Sequence, residues 1–224
     1  MKFKTELHCH SVSVSKCADI EPALIVEKML RCGYTSVVLT NHLSRHTFSA
    51  QSRYAGGDDW QEKMDYYFAG IEALREAANS RLHVLWGVEL CLDSCCTDYL
   101  IHGLDEAFYR AHPKLLQTDL EDVSALVREA GGLFYQAHPF RDKMAITNPA
   151  LLDGIEVYNA HPGHDSRNGM AAIWAKTYDL RGIAGSDLHH PQHDPTCGIL
   201  TDAPITTNEE LLRVLRDRAY EIVT

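Results

Sequence analysis

The sequence predicts an α/β fold with a parallel sheet, and two observations support this prediction. Short apolar runs typical of buried strands alternate with segments typical of helices along the 224 residues. Side chains of the types that bind metals recur at or near the ends of these runs. Because strands separated by helices form parallel sheets with right-handed crossovers, the pattern indicates about seven strands in one domain, residues 1–224.

The first half of the chain holds four predicted strands and two predicted helices. The first helix is expected near residues 19–32, because Pro22 suits a first helical turn and Gly33 suits a helix end. The second helix is expected over residues 60–80, which place apolar side chains on one side. The strands are expected over residues 3–10, 35–41, 82–90 and 98–104.

The second half of the chain continues the alternation. Gly131 and Gly132 close one predicted helix, and Asn208 is predicted to cap the last one. Helices are expected over residues 120–130, 166–178 and 208–218. Strands are expected over residues 133–137, 154–159 and 182–186.

Composition narrows the class of protein. The sequence has no apolar run of 18 or more residues and no long apolar stretch near its start, so neither a membrane span nor a secretory signal is expected. A cytoplasmic location is the resulting expectation. The seven cysteines are odd in number and irregularly spaced, which argues against a disulfide framework and against a thiolate zinc site.

The balance of acidic and basic residues indicates which classes of partner the chain can bind. Acidic residues number 31 against 21 basic residues, for a formal net charge of −10. A broad nucleic-acid surface needs clustered Lys and Arg, so this balance argues against nucleic-acid binding. Bound divalent ions would reverse the local field around some of the acids.

Metal-ligating residue types follow the predicted strands in order. Glu6, His8 and His10 alternate on the first strand and therefore point to one face. The carboxyl ends of strands in a parallel barrel converge on one mouth, where active sites are built. The other candidates at or after strand ends are His42, Glu89, His102, His138, Glu156, Asn159, Asp187 and His189.

The donor types narrow the choice of metal. They combine imidazole with carboxylate and include no obvious thiolate, which suits zinc, manganese or iron without choosing among them. About eight candidates exceed the four to six ligands of a single ion, so two or three divalent ions are expected.

Five short motifs resemble those of the polymerase and histidinol phosphatase (PHP) superfamily. The motifs are Glu6-Leu7-His8-Cys9-His10, Thr40-Asn41-His42, Gly87-Val88-Glu89, Ala137-His138-Pro139 and Gly185-Ser186-Asp187-Leu188-His189. The strand over residues 154–159 is similar to the one before the last motif of that family. The likeness covers nearly the whole chain in the expected order.

The resemblance implies a distorted (β/α)7 TIM-like barrel with its metal site at the C-terminal ends of the strands. It assigns metal binding to His8, His10, His42, Glu89, His138, Asp187 and His189. His102 is added as the ligand of the fourth strand, with Asp105 as its alternative. The chain departs from the family at two places. Asn41 stands where Asp is usual. Family members often carry a ligand His or Asp a few residues after the first His-x-His, whereas this chain has Lys16 there, with Cys17 or Asp19 as the alternative ligand.

The resulting functional prediction is a phosphoesterase that hydrolyses a small phosphomonoester or nucleotide through a metal-activated water. Catalytic roles are assigned to His42, His138 and Asp187, and substrate binding to Arg141, Arg167 and Asn159. The leaving-group acid stays open among His42, His161, His190 and His193. The alternatives are a 3'-5' exonuclease of the polymerase-associated type, an amidohydrolase-like metal hydrolase and a non-catalytic domain.

Overall fold

The computed structural model describes residues 2–224, and within them ten strands form one sheet. The strands are β1 (Phe3–Cys9), β2 (Tyr34–Leu39), β3 (His42–Leu43), β4 (His83–Cys91), β5 (Asp98–His102), β6 (Leu133–Gln136), β7 (Gly154–Asn159), β8 (Arg181–Gly185), β9 (Gly198–Thr201) and β10 (Glu221–Val223). The helices are α1 (Pro22–Arg31), α2 (Trp60–Ala78), α3 (Glu106–Ala111), α4 (Leu120–Glu129), α5 (Asn168–Thr177) and α6 (Asn208–Asp217).

Seven of the strands curve into a nearly closed barrel. The sheet order is β10-β9-β1-β2-β4-β5-β6-β7-β8, and β3 pairs with β4 beside this path. The barrel strands are β1, β2, β4, β5, β6, β7 and β8. The first and last of them meet because Cys9 of β1 bridges Leu188, just after β8, and the His10 amide donates to the Leu188 carbonyl at 3.0 Å. The predicted seven-stranded α/β barrel is therefore confirmed as the fold class.

One barrel strand runs against the predicted direction. The pairs β1–β2, β2–β4, β6–β7 and β7–β8 are parallel, but β5 is antiparallel to both β4 and β6. Only residues 92–97 connect β4 to β5. That segment is too short for the crossover a parallel pair needs, so the chain must turn back on itself. The start of β5, at Asp98, therefore lies at the mouth.

An apolar cluster fills the barrel interior. It takes buried side chains from six of the seven barrel strands and from α6. These include Leu7, Val38, Leu85, Leu100, Leu133, Ile183, Leu211 and Leu215. A second and larger cluster packs the outer helices, including α1 and α2, on the outside of the sheet. The polar residues of the mouth therefore lie against a closely packed apolar core, which restricts their movement.

Local sequence explains where the helices begin and end. Asp59 caps α2 by accepting from the Gln61 and Glu62 amides, and Asn79 ends it in the left-handed conformation with φ of 44°. The cap of α6 is Thr207, whose hydroxyl accepts from the Glu210 amide, and the predicted cap Asn208 is the first helical residue instead. Its side-chain amide hydrogen-bonds the backbone of Trp86 on β4.

The structure also describes the cysteines and the length and polarity of the helices, which the composition had addressed. The seven cysteines all lie in the described residues and are free thiols. Across residues 2–224, no helix is both long enough and apolar enough to cross a membrane.

Candidate metal centre

Seven of the predicted ligands come together at the mouth of the barrel. His8 lies in β1, His42 in β3 and Glu89 near the end of β4. His10, His138, Asp187 and His189 follow the ends of β1, β6 and β8. All except His42 are buried. The convergence follows from the topology, because these strands enter the mouth with the same polarity.

Glu89 is the carboxylate shared by the most imidazoles. Its Oε1 atom lies 3.3 Å from His8 Nε2 and 3.1 Å from His138 Nε2. Its Oε2 atom lies 3.2 Å from His10 Nε2 and 2.9 Å from His42 Nδ1. Burial alone would raise the pKa of Glu89, but the surrounding imidazoles hold it well below its usual range. The carboxylate therefore stays ionised.

Asp187 is the second shared carboxylate. Its Oδ1 atom lies 3.4 Å from both His8 Nε2 and His10 Nε2, and 3.2 Å from His189 Nδ1. Its Oδ2 atom accepts a hydrogen bond from Arg141 at 2.8 Å. Burial opposes ionisation of Asp187, but His8 and His189 lower its pKa well below the ordinary value.

The donor atoms fit divalent metal ions. Four overlapping groups each place three ligand atoms within 4.8 Å of one another. The buried atoms His8 Nε2, His10 Nε2 and Glu89 Oε2 have no partner with hydrogen-bond geometry in the described residues. Buried polar atoms that converge on a common space without bonding each other match a metal shell. The groups are His8–Glu89–His138, His8–His10–Asp187, His10–His42–His189 and His42–Glu89–Asp98.

Neighbouring side chains fix the tautomers of two histidines. His8 Nδ1 lies 2.9 Å from Glu156 Oε1, so it carries the proton and leaves a lone pair on Nε2. The Ser15 hydroxyl donates to Asn41 Oδ1 at 3.0 Å and therefore accepts from His10 Nδ1 at 3.1 Å. His10 Nε2 consequently also presents a lone pair to the centre. Carboxylate and hydroxyl partners of this kind orient metal-binding imidazoles.

Asn41 and Glu156 support the ligands without joining them. Asn41 stands where the family motif usually has Asp. Its Oδ1 atom accepts hydrogen bonds from the Ser11 amide at 2.9 Å and from the Ser15 hydroxyl at 3.0 Å. Glu156 Oε2 accepts from the His138 amide and from Asn159 Nδ2, both at 2.9 Å. Glu156 therefore ties His8, His138 and Asn159 together.

Two of the clustered residues have left-handed backbone conformations. His138 has a φ of 28° and Asp187 a φ of 51°, which are costly for residues other than glycine. Each follows a barrel strand, where the chain must turn sharply to aim its side chain into the mouth. Such strain is held in place by the surrounding structure and is frequent at functional sites.

His102 does not join the cluster, although the sequence assigned it as a ligand. Because β5 is antiparallel, His102 pairs in register with Gly87, two residues deeper in the barrel than Glu89. Its ring is fully buried beside Tyr135, with centroids 5.9 Å apart, and burial lowers its pKa to about 3. The alternative, Asp105, caps α3 by accepting from the Phe108 amide at 2.9 Å.

Asp98 occupies the place that His102 was expected to take. It begins β5 at the mouth and forms a three-residue group with His42 and Glu89. The ligand pattern in the sequence did not indicate Asp98. The short connection over residues 92–97 was the signal that could have found it, because it indicates an antiparallel strand.

The predicted substrate residues separate into two sets. Arg141 donates to Asn159 Oδ1 and Asp187 Oδ2, both at 2.8 Å, so Arg141 and Asn159 border the cluster. Arg167 instead donates to the Phe140 carbonyl at 2.6 Å and to Asp142 at 2.5 Å. Its guanidinium pairs with an exposed carboxylate, and Arg167 does not line the cavity at the mouth.

Two cavities adjoin the cluster. The metal cavity, of about 230 Å³, is lined by ligand candidates together with Cys17, Asp98, Arg141, His161, His164 and His190. The outer cavity, of about 370 Å³, is lined by Lys16, Cys17, His42, Ser44, His46, Thr47, Cys91 and Asp98. Cys17, His42 and Asp98 line both, so they form the boundary between the two spaces.

Of the four candidate leaving-group acids, His161 and His190 line the metal cavity together with His42. His190 Nδ1 is paired with Asp19 at 2.6 Å, and His193 packs against His190 with ring centroids 5.2 Å apart. The Gly163 amide donates to His161 Nδ1 at 3.0 Å. In the neutral ring of His161 the proton is therefore on Nε2, which can donate a hydrogen bond.

Solved structures share this fold. A two-domain protein from Bacteroides vulgatus, which contains a predicted PHP-like metal-dependent phosphoesterase, matches 99% of this chain with a TM-score of 0.71 and 19% identity. The chain has the fold of the PHP superfamily. A family model described as PHP-associated matches residues 165–220. The resemblance predicted from the five motifs is therefore confirmed.

Two further proteins are similar over different extents. The structure of a lesion-specific endonuclease from Pyrococcus furiosus matches this chain with a TM-score of 0.64 and 14% identity. The match covers 99% of this chain and 58% of the endonuclease chain. A 5'-3' exoribonuclease from Haemophilus influenzae is 35% identical over 102 residues, or 42% of this chain. The chain spans about a third of that curated relative, 35%, and 64% of the Bacteroides protein.

Proposed function

We propose that the chain is a metal-dependent phosphoesterase that hydrolyses a small phosphomonoester or a nucleotide. The observation that carries the proposal is the convergence of imidazole and carboxylate atoms around Glu89 and Asp187, with buried donor atoms left without hydrogen-bond partners. His8, His10, His42, Glu89, Asp98, His138, Asp187 and His189 would hold two or three ions, with zinc, manganese and iron as the candidates. When bound, such ions supply Lewis-acid neutralisation of phosphate charge and acidify water.

Arg141 has two tasks in this proposal. It holds Asp187 Oδ2 and Asn159 Oδ1 through one guanidinium nitrogen, which fixes the orientation of Asp187. Its Nε atom is buried without a hydrogen-bond partner in the described residues, and the side chain lines the metal cavity. A guanidinium with a free N–H beside a phosphate can donate a charge-assisted hydrogen bond to it.

Arg141→Met is expected to lower kcat/KM, whereas Arg167→Met is the matched control. Loss of a hydrogen bond to a charged group costs about 1.5–3 kcal/mol, or roughly 10- to 150-fold in kcat/KM. The Arg167 guanidinium donates to the Phe140 carbonyl and to Asp142 and does not line the metal cavity, so its replacement should change kcat/KM by less than about twofold. Steady-state kinetics on both variants check this, and equal losses would contradict the assignment.

His161 is proposed as a neutral hydrogen-bond donor to the phosphate or to the leaving oxygen. The argument rests on its tautomer, because the Gly163 amide occupies Nδ1 and leaves the proton on Nε2. His161 lines the metal cavity beside His189, with ring centroids 5.6 Å apart. A neutral imidazole of this kind stabilises developing negative charge by donating a hydrogen bond.

His161→Gln and His161→Asn should differ in kcat. Glutamine carries an amide nitrogen near the position of Nε2 and should retain kcat within about twofold, whereas asparagine places it near Nδ1 and should lose roughly 2- to 10-fold. Rescue by glutamine separates donation from packing, since both variants remove the ring. Equal kcat values for the two variants would contradict the role of Nε2.

A nucleic-acid substrate is the second candidate. The Haemophilus relative is named a 5'-3' exoribonuclease and the Pyrococcus protein a lesion-specific endonuclease. These names put in doubt the expectation, drawn from the net charge of −10, that nucleic acid is not bound. Lys16 lines the outer cavity and places a basic group there.

A substrate panel tests the proposed function. The panel contains p-nitrophenyl phosphate, bis(p-nitrophenyl) phosphate, a mononucleotide, a 5'-phosphorylated RNA oligonucleotide, single-stranded DNA and an anilide. Hydrolysis of the monoester or mononucleotide alone supports the first candidate, and release of nucleotides from RNA or DNA supports the second. Hydrolysis of the anilide alone would support an amidohydrolase and contradict the proposal.

A further inference from the structure

Arg53 joins the loop between β3 and α2 to the segment that follows β1. This loop spans residues 44–59, and it lines part of the outer cavity. The two terminal nitrogens of the Arg53 guanidinium donate to the carbonyls of Ser15 at 2.8 Å and of Ala18 at 3.0 Å. The Ala18 amide also donates to the Ser15 carbonyl at 3.1 Å, so these residues form a turn. A planar guanidinium can hold both carbonyls of the turn at once.

The hydroxyl group of Ser15 is bonded to three groups beside the metal centre. It accepts from His10 Nδ1 and from the His42 amide, both at 3.1 Å, and it donates to Asn41 Oδ1 at 3.0 Å. Ser15 is fully buried. The position of this one hydroxyl therefore sets the orientation of the His10 ring and the place of the backbone that carries the His42 ring.

The turn that carries Ser15 has little other support. It lies between β1 and α1, outside any helix or strand. On its other side, the Ser15 amide donates to the Ser11 carbonyl at 3.1 Å. Within residues 2–224, the backbone of residues 15–18 receives side-chain hydrogen bonds from Arg53 alone. Removing the guanidinium would therefore free the carbonyl side of the turn.

Arg53 is itself held in place by its neighbours in the loop. The Ser52 hydroxyl donates to the Ser49 carbonyl at 2.8 Å and accepts from the Tyr54 amide at 3.1 Å, which fixes the backbone on both sides of Arg53. The Tyr54 ring packs edge-on against Phe48, with ring centroids 5.5 Å apart. The guanidinium is thus presented from a packed segment, so it can fix the turn that it contacts.

We propose that Arg53 is a positioning residue of the metal centre, which holds the turn so that the Ser15 hydroxyl orients His10 and His42. The inference rests on the proposed function, since it presupposes metal at the mouth. Partners that orient a ligand contribute about 10- to 100-fold to metal affinity. Arg53 acts on such a partner rather than on a ligand, so its own contribution should be smaller than that of Ser15.

Zinc affinity tests the role of Arg53. The metal-free full chain is titrated with Zn²⁺ against a chromophoric chelator. Ser15→Ala should weaken binding by roughly 10- to 100-fold, and Arg53→Met by roughly 3- to 10-fold. Arg81→Met is the matched control, because Arg81 also donates to two backbone carbonyls, those of Ala77 and Ala78, but does so at the end of α2. Its replacement should leave zinc affinity unchanged.

A double-mutant cycle separates positioning from general support of the fold. If Arg53 acts through Ser15, adding Arg53→Met to a Ser15→Ala chain should change zinc affinity by less than about twofold, because the hydroxyl that Arg53 positions is already absent. Urea unfolding with a chelator present measures the stability of each variant without a contribution from metal. A merely structural role would lower the urea midpoint of Arg53→Met and leave its zinc affinity at the wild-type value.

The outcomes separate this inference from the proposed function. Circular dichroism establishes that each variant is folded. If Arg53→Met does not fold, Arg53→Lys replaces it in the cycle, because lysine keeps the charge but lacks the planar fork and should also weaken zinc binding. Wild-type zinc affinity in the folded Arg53 variant, or losses that multiply in the double variant, would overturn the role of Arg53 while the metal centre remains. If the folded wild-type chain binds no zinc, both proposals fall.

Discussion

Replacing Glu89 with glutamine is expected to abolish activity and to release metal from the chain. Carboxylate oxygens of Glu89 lie within 3.3 Å of a nitrogen on each of four histidines. These rings keep the buried carboxylate ionised, so it is a fixed negative charge in the centre. Glutamine keeps the shape but removes the charge. Loss of an orienting partner of a ligand costs about 10- to 100-fold in affinity or activity, so loss of a shared ligand should cost more than about 100-fold.

The measurement for Glu89→Gln is a metal count per chain beside kcat/KM. Glu129→Gln is the matched control, because Glu129 is exposed at the end of α4 and should leave both quantities unchanged. Circular dichroism establishes that the variant is folded. A folded Glu89→Gln chain with full metal and undiminished activity would exclude Glu89 from the centre.

Replacing Glu6 with alanine is expected to destabilise the fold rather than to remove a ligand. Glu6 Oε1 accepts hydrogen bonds from the amides of Leu7 and His8 at 3.0 Å and of Ser186 at 2.8 Å. Each buried amide left without an acceptor costs about 1–3 kcal/mol, so the free energy of unfolding should fall by about 3 kcal/mol or more. Burial raises the pKa of Glu6 to about 7, and the bonds from Ser186 and His8 oppose that shift.

Urea unfolding in the presence of a chelator measures this effect without a contribution from bound metal. Glu6→Gln retains an oxygen acceptor and should lose only about 1 kcal/mol, while Glu76→Ala on the exposed side of α2 should change stability by less than about 0.5 kcal/mol. Equal stability of Glu6→Ala and Glu6→Gln would show that the three amide bonds do not matter.

Much of the barrel and of the centre could be predicted from residue patterns. The alternation of apolar runs with helical segments predicted seven barrel strands, and their polarity predicted that His8, Glu89 and Asp187 would meet at one mouth. The structure brings these side chains together because six barrel strands share a direction. Arg141 and Asn159 lie beside them, as their positions after β6 and on β7 indicated.

The sequence patterns did not indicate the direction of one strand or the carboxylate that each arginine reaches. Assigning His102 required β5 to be parallel, and only the length of the 92–97 connection argues otherwise. Arg141 and Arg167 were equivalent in sequence because both follow barrel strands. Their difference depends on which carboxylate each guanidinium reaches, Asp187 for Arg141 and Asp142 for Arg167. Residue spacing does not encode such tertiary partners.

The measurement that tests the central claim most directly is elemental analysis with a phosphatase assay on the same samples. The chain is purified without chelator, and it is compared with a variant that carries both His8→Ala and His10→Ala. The account predicts two or more zinc, iron or manganese ions per chain, phosphatase activity, and loss of both in the double variant. A folded wild-type chain that holds no metal, takes up none from added salts and hydrolyses no phosphoester would contradict it.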